Sequence, residues 1–108
     1  MTKETFTELE ETTVEFAKAE ADRVYLMEYR KSLKAILMAR AEAENPRLAV
    51  AKQEREAYAH QDYLDLLQGL KSAVEKSQKL RFKIKTIEMR FEAWRSKEST
   101  RRAEMTMR

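Results

Sequence analysis

Apolar and small side chains recur at alternating intervals of three and four residues between Gln61 and about Met107. If Tyr63 is taken as the first a position of a heptad repeat, this spacing continues without interruption to Trp94. The a positions are Tyr63, Leu70, Ser77, Ile84, Phe91, Glu98 and Met105, and the d positions are Leu66, Ala73, Leu80, Ile87, Trp94 and Arg101. Such spacing is typical of a coiled-coil seam. It predicts a long helix over 61–107 that lies against another helix.

The N-terminal half carries a second apolar stripe. Neither Gly nor Pro occurs before Pro46, and the stripe fits one helical face. Its members are Leu9, Phe16, Ala19, Leu26, Leu33, Ile36 and Leu37. Thr7 followed by Glu10 has the form of a capping box. These patterns predict a frayed segment over 1–6 and a first helix over 7–45.

Two arginines, Arg23 and Arg30, interrupt the first stripe at an interval of seven residues. Polar residues in a coiled-coil seam often fix its register. We expect the two arginines to pair across a hairpin with Glu88, Glu92 or Glu98. Lining a groove for a partner is an equal alternative.

Asn45 and Pro46 predict the end of the first helix, because proline disfavours the α conformation of the residue before it. Pro46 is then expected to begin a short corner helix over 46–59. His60, Gln61 and Asp62 have weak helix propensity, so a break is predicted near His60. A continuous helix from Pro46 to Met107 is the alternative. The expected fold is all-α, an antiparallel helical hairpin or coiled coil within one domain, 1–108. Since each long helix buries a single stripe, we expect a homo-oligomer.

Composition supports long helices and narrows the chemistry. The chain contains one Gly, one Pro and no Cys, and 38% of its residues are charged. The lack of Cys excludes disulfides, thiolate zinc sites and thiol nucleophiles. No apolar run approaches the roughly 18 to 20 residues of a membrane span, and the acidic N-terminal segment is unlike a signal peptide. We therefore expect a soluble, intracellular chain.

Charge is segregated along the chain. Residues 1–22 contain two basic and seven acidic side chains, whereas 69–108 contain twelve basic and five acidic ones. Both flanks of the long seam are basic. The g positions include Lys76, Lys83, Arg90 and Lys97, and the e positions include Arg81, Arg95 and Arg102. Such rows would repel each other in a parallel homodimer. Either these cations meet the acidic first helix or remain solvated, or they form a stripe that binds phosphates.

The phosphate-binding interpretation nominates particular residues on the long helix. The cations are Lys76, Lys79, Lys83, Arg90 and Lys97. Among the aromatic residues, Phe91 and Trp94 occupy seam positions and are expected to be buried there. Phe82 occupies an f position between Arg81 and Lys83, where an exposed ring can stack on the bases of a single strand. These six residues form the predicted contact surface for DNA.

No catalytic, cofactor-binding or metal-binding residues are predicted. His60 is the only histidine, and Glu56 precedes it by four residues. A di-iron bundle requires Glu and His three residues apart, and a zincin requires two histidines. The chain also has no glycine-rich nucleophile elbow or phosphate-binding loop. We expect a protein that is not an enzyme and has no cofactor.

Several segments resemble small helical proteins encoded by tailed bacteriophages. The resemblance lies in QEREAYAH at 53–60, YLDLL at 63–67 and MRFEAWR at 89–95, with further similarity at 23–26 and 101–105. It implies an early-region phage product encoded among recombination and replication genes, in the cytoplasm of the host cell. It implies no active-site residues.

These observations lead to one favoured function and two alternatives. The favoured function is a non-enzymatic accessory role in phage DNA recombination or replication, with DNA contacted without sequence specificity. The first alternative is a coiled-coil adaptor or regulator that binds a recombinase, a single-strand-binding protein or a host factor without touching DNA. The second is a structural component of the virion.

Overall fold

The computed structural model describes residues 2–107 of the chain. Within that range the chain forms three α-helices and no strand: α1 (Lys3–Glu44), α2 (Val50–Ala59) and α3 (Gln61–Met107). The predicted all-α helical hairpin, with two long helices and a short one, is confirmed. The chain divides into two compact units. The first, called the terminal unit, comprises Met1–Lys18 and Ser77–Arg108, and the second, called the central unit, comprises Ala19–Lys76.

Burial along α3 follows the heptad repeat. Between Tyr63 and Phe91 every a and d residue is buried or half-buried. Every other residue in that stretch is exposed except Gln78, which is half-buried. Alternating spacings of three and four residues keep one face of a helix directed at its neighbour, and this explains the pattern.

Helix α1 begins at Lys3, four residues before the start that the sequence predicts. Thr7 therefore lies within the helix and does not cap it. Its hydroxyl donates to the carbonyl oxygen of Lys3, one turn earlier, at 3.0 Å. Thr2 takes the capping position, where its carbonyl oxygen accepts from the amide of Thr5 at 3.1 Å. Residues 3–6 of the segment predicted to fray are therefore helical, and Met1 lies outside the described residues.

The segment between α1 and α2 is a turn, and α2 begins at Val50 rather than at Pro46. The amide of Leu48 donates to the carbonyl oxygen of Asn45 at 3.0 Å, and the amide of Arg47 donates to the Asn45 side chain at 3.2 Å. Asn at the first position and Pro at the second position of a β-turn are both favoured. Pro46 therefore serves a turn instead of the first turn of a helix.

His60 separates α2 from α3. Its backbone is extended, with φ −67° and ψ 140°, so a continuous helix through this residue does not form. The Nδ1 atom of His60 accepts from the amide of Asp62 at 3.0 Å, and its carbonyl oxygen accepts from the amides of Tyr63 and Leu64, each at 3.1 Å. His60 is thus the N-cap of α3, which begins at Gln61 as the sequence predicts.

The central unit holds the main apolar core. Its buried cluster is formed by Leu33, Leu37, Ala57 and Tyr63, with Met38 and Leu66 packed against it. The ring of Tyr58 meets that of Tyr63 edge-on, with centroids 5.2 Å apart. All three helices contribute to this cluster, so α2 covers a seam that two helices alone would leave open to water.

An ion pair joins α2 to α1 beside this core. Lys34 Nζ lies 2.8 Å from Glu54 Oε1 and 4.7 Å from the centre of the Tyr58 ring. The hydrogen bond with Glu54 raises the pKa of Lys34, and the same bond lowers the pKa of Glu54. Each shift favours the charged form of its group.

The terminal unit has a smaller and more polar interior. Ile87 is its only large apolar side chain in the described residues with an exposure below 2%, and Thr12 and Ser77 are buried as well. Thr12 satisfies its hydroxyl within α1, donating to the carbonyl oxygen of Glu8 at 2.7 Å. Phe6 and Phe91 pack edge-on with centroids 5.9 Å apart.

Candidate nucleic-acid interface

A row of exposed cations follows α3 through the terminal unit. Lys83, Arg90 and Lys97 occupy successive g positions, and all three are exposed. Seven residues correspond to about two helical turns, or roughly 10 Å of helix axis, so the three side chains share one face. Lys79 lies four residues before Lys83 and is also exposed. Lys76, the remaining predicted cation, is exposed and is the last residue of the central unit.

The acidic part of α1 approaches one of these cations. Arg90 Nη1 lies 4.0 Å from Glu8 Oε2, and both side chains are substantially exposed. Lys83 and Lys97 form no ion pair within residues 2–107. An exposed pair at this distance contributes no more than about 1 kcal/mol. The acidic part of α1 therefore leaves most of the row open to solvent.

Two other arginines of α3 are neutralised on their own helix. Arg95 lies 3.3 Å from Glu92, and Arg101 lies 2.8 Å from Glu98. These pairs join residues three positions apart, which face each other on a helix surface. Basic residues without acidic neighbours in sequence are consequently concentrated before Glu88. In the row of g positions, Lys97 is the next cation after Lys83 that forms no ion pair in the described residues.

Phe82 lies among cations on the outer side of α3. It is 59% exposed, and Lys85 Nζ lies 5.9 Å from the centre of its ring. The contact with Lys85 was not anticipated from the sequence, although an interval of three residues is a sufficient signal for it. Between Glu75 and Glu88 all five charged residues are basic.

A second aromatic group lies further along α3. Trp94 stacks on Phe91 with centroids 6.1 Å apart, and Phe91, which is expected to be buried, is half-buried. The predicted burial of Trp94 is wrong, because this side chain is 40% exposed. Phe6, near the beginning of α1, packs against Phe91. Only the few residues of α1 before Phe6 therefore remain to cover Trp94, which lies further along α3.

Arg23 is paired on its own helix. Its guanidinium forms a two-pronged ion pair with Glu20 on the same helix, with Nε 3.1 Å from Oε2, and this hydrogen bond raises the pKa of Arg23. A partner three residues away is available wherever the helix forms, whereas a partner on another helix requires a particular register. Arg30 is half-buried. Pairing of these arginines with Glu88, Glu92 or Glu98, and the alternative of a groove for a partner, stay predictions.

An exposed aromatic pair on α1 was not singled out from the sequence. Tyr25 and Tyr29 stack with centroids 6.1 Å apart and an angle of 8° between their rings. Both side chains are exposed. An interval of four residues places two rings on one helix face, so the sequence does contain the signal.

Two further findings concern residues 2–107. No group of three or more His, Asp or Glu side chains in this range is arranged to hold a metal ion. None of the helices in it combines the length and the apolar character that crossing a bilayer requires.

Comparisons with known proteins give no match. No family model, no curated protein and no solved structure is similar to this chain. The argument for a function therefore depends on the charges and exposures described above.

Proposed function

We propose that this chain is a non-enzymatic accessory protein of phage DNA recombination or replication, and that it contacts DNA through the basic face of α3. The residues assigned to the contact are Lys76, Lys79, Phe82, Lys83, Arg90 and Lys97. The observation that carries the proposal is the exposed row of Lys83, Arg90 and Lys97, of which only Arg90 is paired in the described residues. The phage setting rests on the resemblance in sequence.

Clustered lysines and arginines on one helix face bind DNA by neutralising phosphates and releasing counterions. This mechanism needs no contact with base edges, so the proposed binding is independent of sequence. The weak pair between Glu8 and Arg90 does not strongly oppose DNA binding. A phosphate of the DNA is itself an anion and takes the place of the exposed Glu8 carboxylate beside Arg90. Affinity is expected to fall steeply as salt is added.

The proposal is tested by titrating labelled single- and double-stranded DNA with the purified protein at two salt concentrations. Wild-type protein is expected to bind, and K83E/R90E is expected to lose at least about tenfold in affinity at low salt and to show a smaller dependence on salt. Circular dichroism verifies that the variant keeps its helicity. Light scattering records the mass, which tests the predicted homo-oligomer.

A matched control is available on α2. Lys52 and Arg55 are exposed, and K52E/R55E changes the net charge by the same amount as K83E/R90E. Unaltered binding by this control would assign the contact to α3. Equal loss in both double variants would show that net charge alone governs retention and would contradict the assigned surface. Absence of binding by folded wild-type protein at low salt would reject the proposal.

A protein-only adaptor is the second candidate, and the exposed pair of Tyr25 and Tyr29 favours it. Stacked tyrosines on a helix surface offer a large apolar contact area with few rotatable bonds, as many protein interfaces do. The partner would be a recombinase, a single-strand-binding protein or a host factor. Y25S/Y29S is expected to abolish that association, whereas K83E/R90E is expected to leave it intact.

A further inference from the structure

Phe82 is an apolar ring on the side of α3 that faces away from the seam. It occupies an f position and is 59% exposed, and within the described residues its ring is contacted only by Lys85. A large apolar surface held in water is unfavourable by about 25 cal/mol per Å². Neither the fold of the terminal unit nor the cap of a helix requires an aromatic residue here.

The surroundings of Phe82 favour an anionic ligand. Lys79 and Lys85 lie three residues before and after it, on the same helix surface. Arg81 and Lys83 flank it in sequence, and no acidic residue lies between Glu75 and Glu88. An apolar protein partner would have to cover these cations, whereas a phosphate chain would neutralise them.

An exposed ring among cations matches the chemistry of unpaired nucleotides. Proteins that bind single strands without sequence preference combine a basic track for phosphates with aromatic rings on which bases stack. In a duplex the faces of the bases are occupied by their neighbours, so Phe82 has nothing to stack on. Phosphate contacts alone do not distinguish the two kinds of strand in this way.

We propose that Phe82 stacks on an unpaired base and that the preferred ligand is therefore single-stranded nucleic acid, its phosphates held by Lys79, Lys83 and Lys85. This inference rests on the proposed function, since it assumes that the basic face of α3 binds nucleic acid. It adds the class of strand and the residue that determines it.

The test compares an oligothymidylate with a duplex of equal length, both at the same salt concentration. F82A is expected to bind the single strand about 5- to 150-fold more weakly than wild type, which is the range for loss of one stacked base. Binding to the duplex is expected to change by less than about twofold, because it does not use the ring. F82Y, which keeps the ring, is expected to retain single-strand affinity.

Met89 provides a matched control, since it occupies the next f position and is 72% exposed. M89A removes a similar exposed apolar group without removing a ring, and it is expected to leave single-strand affinity unchanged. Equal losses in F82A and M89A would show that apolar area matters rather than stacking, and would overturn the inference.

The remaining outcomes separate this inference from the proposed function. If K83E/R90E loses binding while F82A retains full single-strand affinity, stacking is rejected and the basic face stands. If wild-type protein binds neither strand, the proposed function and this inference fail together. If F82A instead lowers the mass of the protein in solution and leaves binding intact, Phe82 is a contact between copies of the chain.

A direct optical readout is also available. In F82W/W94F the only tryptophan reports on position 82, and stacking on a base is expected to quench its fluorescence as oligothymidylate is added. In M89W/W94F the fluorescence is expected to remain constant under the same titration. Quenching confined to the second protein would contradict stacking at position 82.

Discussion

The two units of the chain differ in how much apolar side-chain surface they bury. The central unit packs side chains from three helices into an apolar cluster around Leu37 and Tyr63, and an ion pair between Lys34 and Glu54 lies beside it. The terminal unit buries few large apolar side chains, and two of its most buried residues are Thr12 and Ser77. The central unit therefore concentrates the favourable burial energy of the chain.

An excess of positive charge is found in the terminal unit, the one that buries fewer large apolar side chains. Residues 77–107 contain nine basic and four acidic side chains, and Phe82 and Met89 add exposed apolar surface to them. Surfaces that bind ligands commonly belong to parts of a protein with lower local stability. The comparison indicates a scaffold in the central unit and, apart from Lys76, a candidate binding surface in the terminal unit.

The largest expected effect concerns the core of the central unit. Leu37 is 3% exposed, and L37A is expected to lower the free energy of unfolding by about 3 kcal/mol, because it leaves a cavity in the apolar cluster. Ile36 is 41% exposed, and I36A is expected to cost only about 0.5 kcal/mol. Urea denaturation followed by circular dichroism measures both. Equal losses in the two variants would show that the cluster is not the main source of stability.

The pattern of burial in α3 was largely predictable from the sequence. A heptad repeat constrains many residues at once, so the interior face from Tyr63 to Phe91 follows from spacing alone. Trp94 shows the limit of this approach. Its spacing fits the seam, but its burial depends on whether side chains of α1 cover it, and Phe6, near the beginning of α1, packs against Phe91 while Trp94 remains 40% exposed.

Other details of the fold and site depended on local competition between partners. Arg23 binds Glu20 within its own helix, and the backbone around Pro46 forms a turn with Asn45. In each case a near neighbour supplies a partner that the sequence analysis did not name, and propensity alone does not rank such options. The cations and Phe82 could be nominated from the sequence, but their exposure required the structure.

The second prediction concerns the cap of α3. H60A is expected to lower the free energy of unfolding by about 1 kcal/mol, because the amide of Asp62 loses the acceptor that His60 Nδ1 provides. H60N is expected to behave as wild type, since an asparagine side chain accepts the same bond. Thermal denaturation monitored by circular dichroism compares the two variants. Identical losses would mean that the side chain of His60 does not cap the helix.

The third prediction follows from the ion pair beside the core. Because the bond to Lys34 holds the pKa of Glu54 below its ordinary value, the stabilisation it gives is complete above that ordinary value and is lost as the pH falls through the lowered one. Wild-type protein is expected to lose more stability than E54Q when the pH is lowered from about 6 to 3. Denaturation with urea at several pH values measures the difference. Parallel curves would contradict a contribution from this pair.

The smallest expected effect lies in the terminal unit. T12V replaces a buried hydroxyl, bonded to the carbonyl of Glu8, with a methyl group of similar shape. The free energy of unfolding is expected to change by less than about 0.5 kcal/mol, or to rise slightly, because such back-bonded hydroxyls add little to helix stability. A loss of more than about 2 kcal/mol, the cost of breaking a required buried network, would show that the polar interior of this unit is a source of stability.

Hydrogen exchange followed by mass spectrometry, with and without oligothymidylate, tests the division between scaffold and binding surface most directly. In the free protein, amides of residues 77–107 are expected to exchange faster than those of 33–41 and 57–66. On addition of the single strand, protection is expected to increase around Phe82 and Lys83 and to remain unchanged in 33–41 and 57–66. Equal exchange rates in the free protein, together with protection confined to 33–41 and 57–66, would contradict the account.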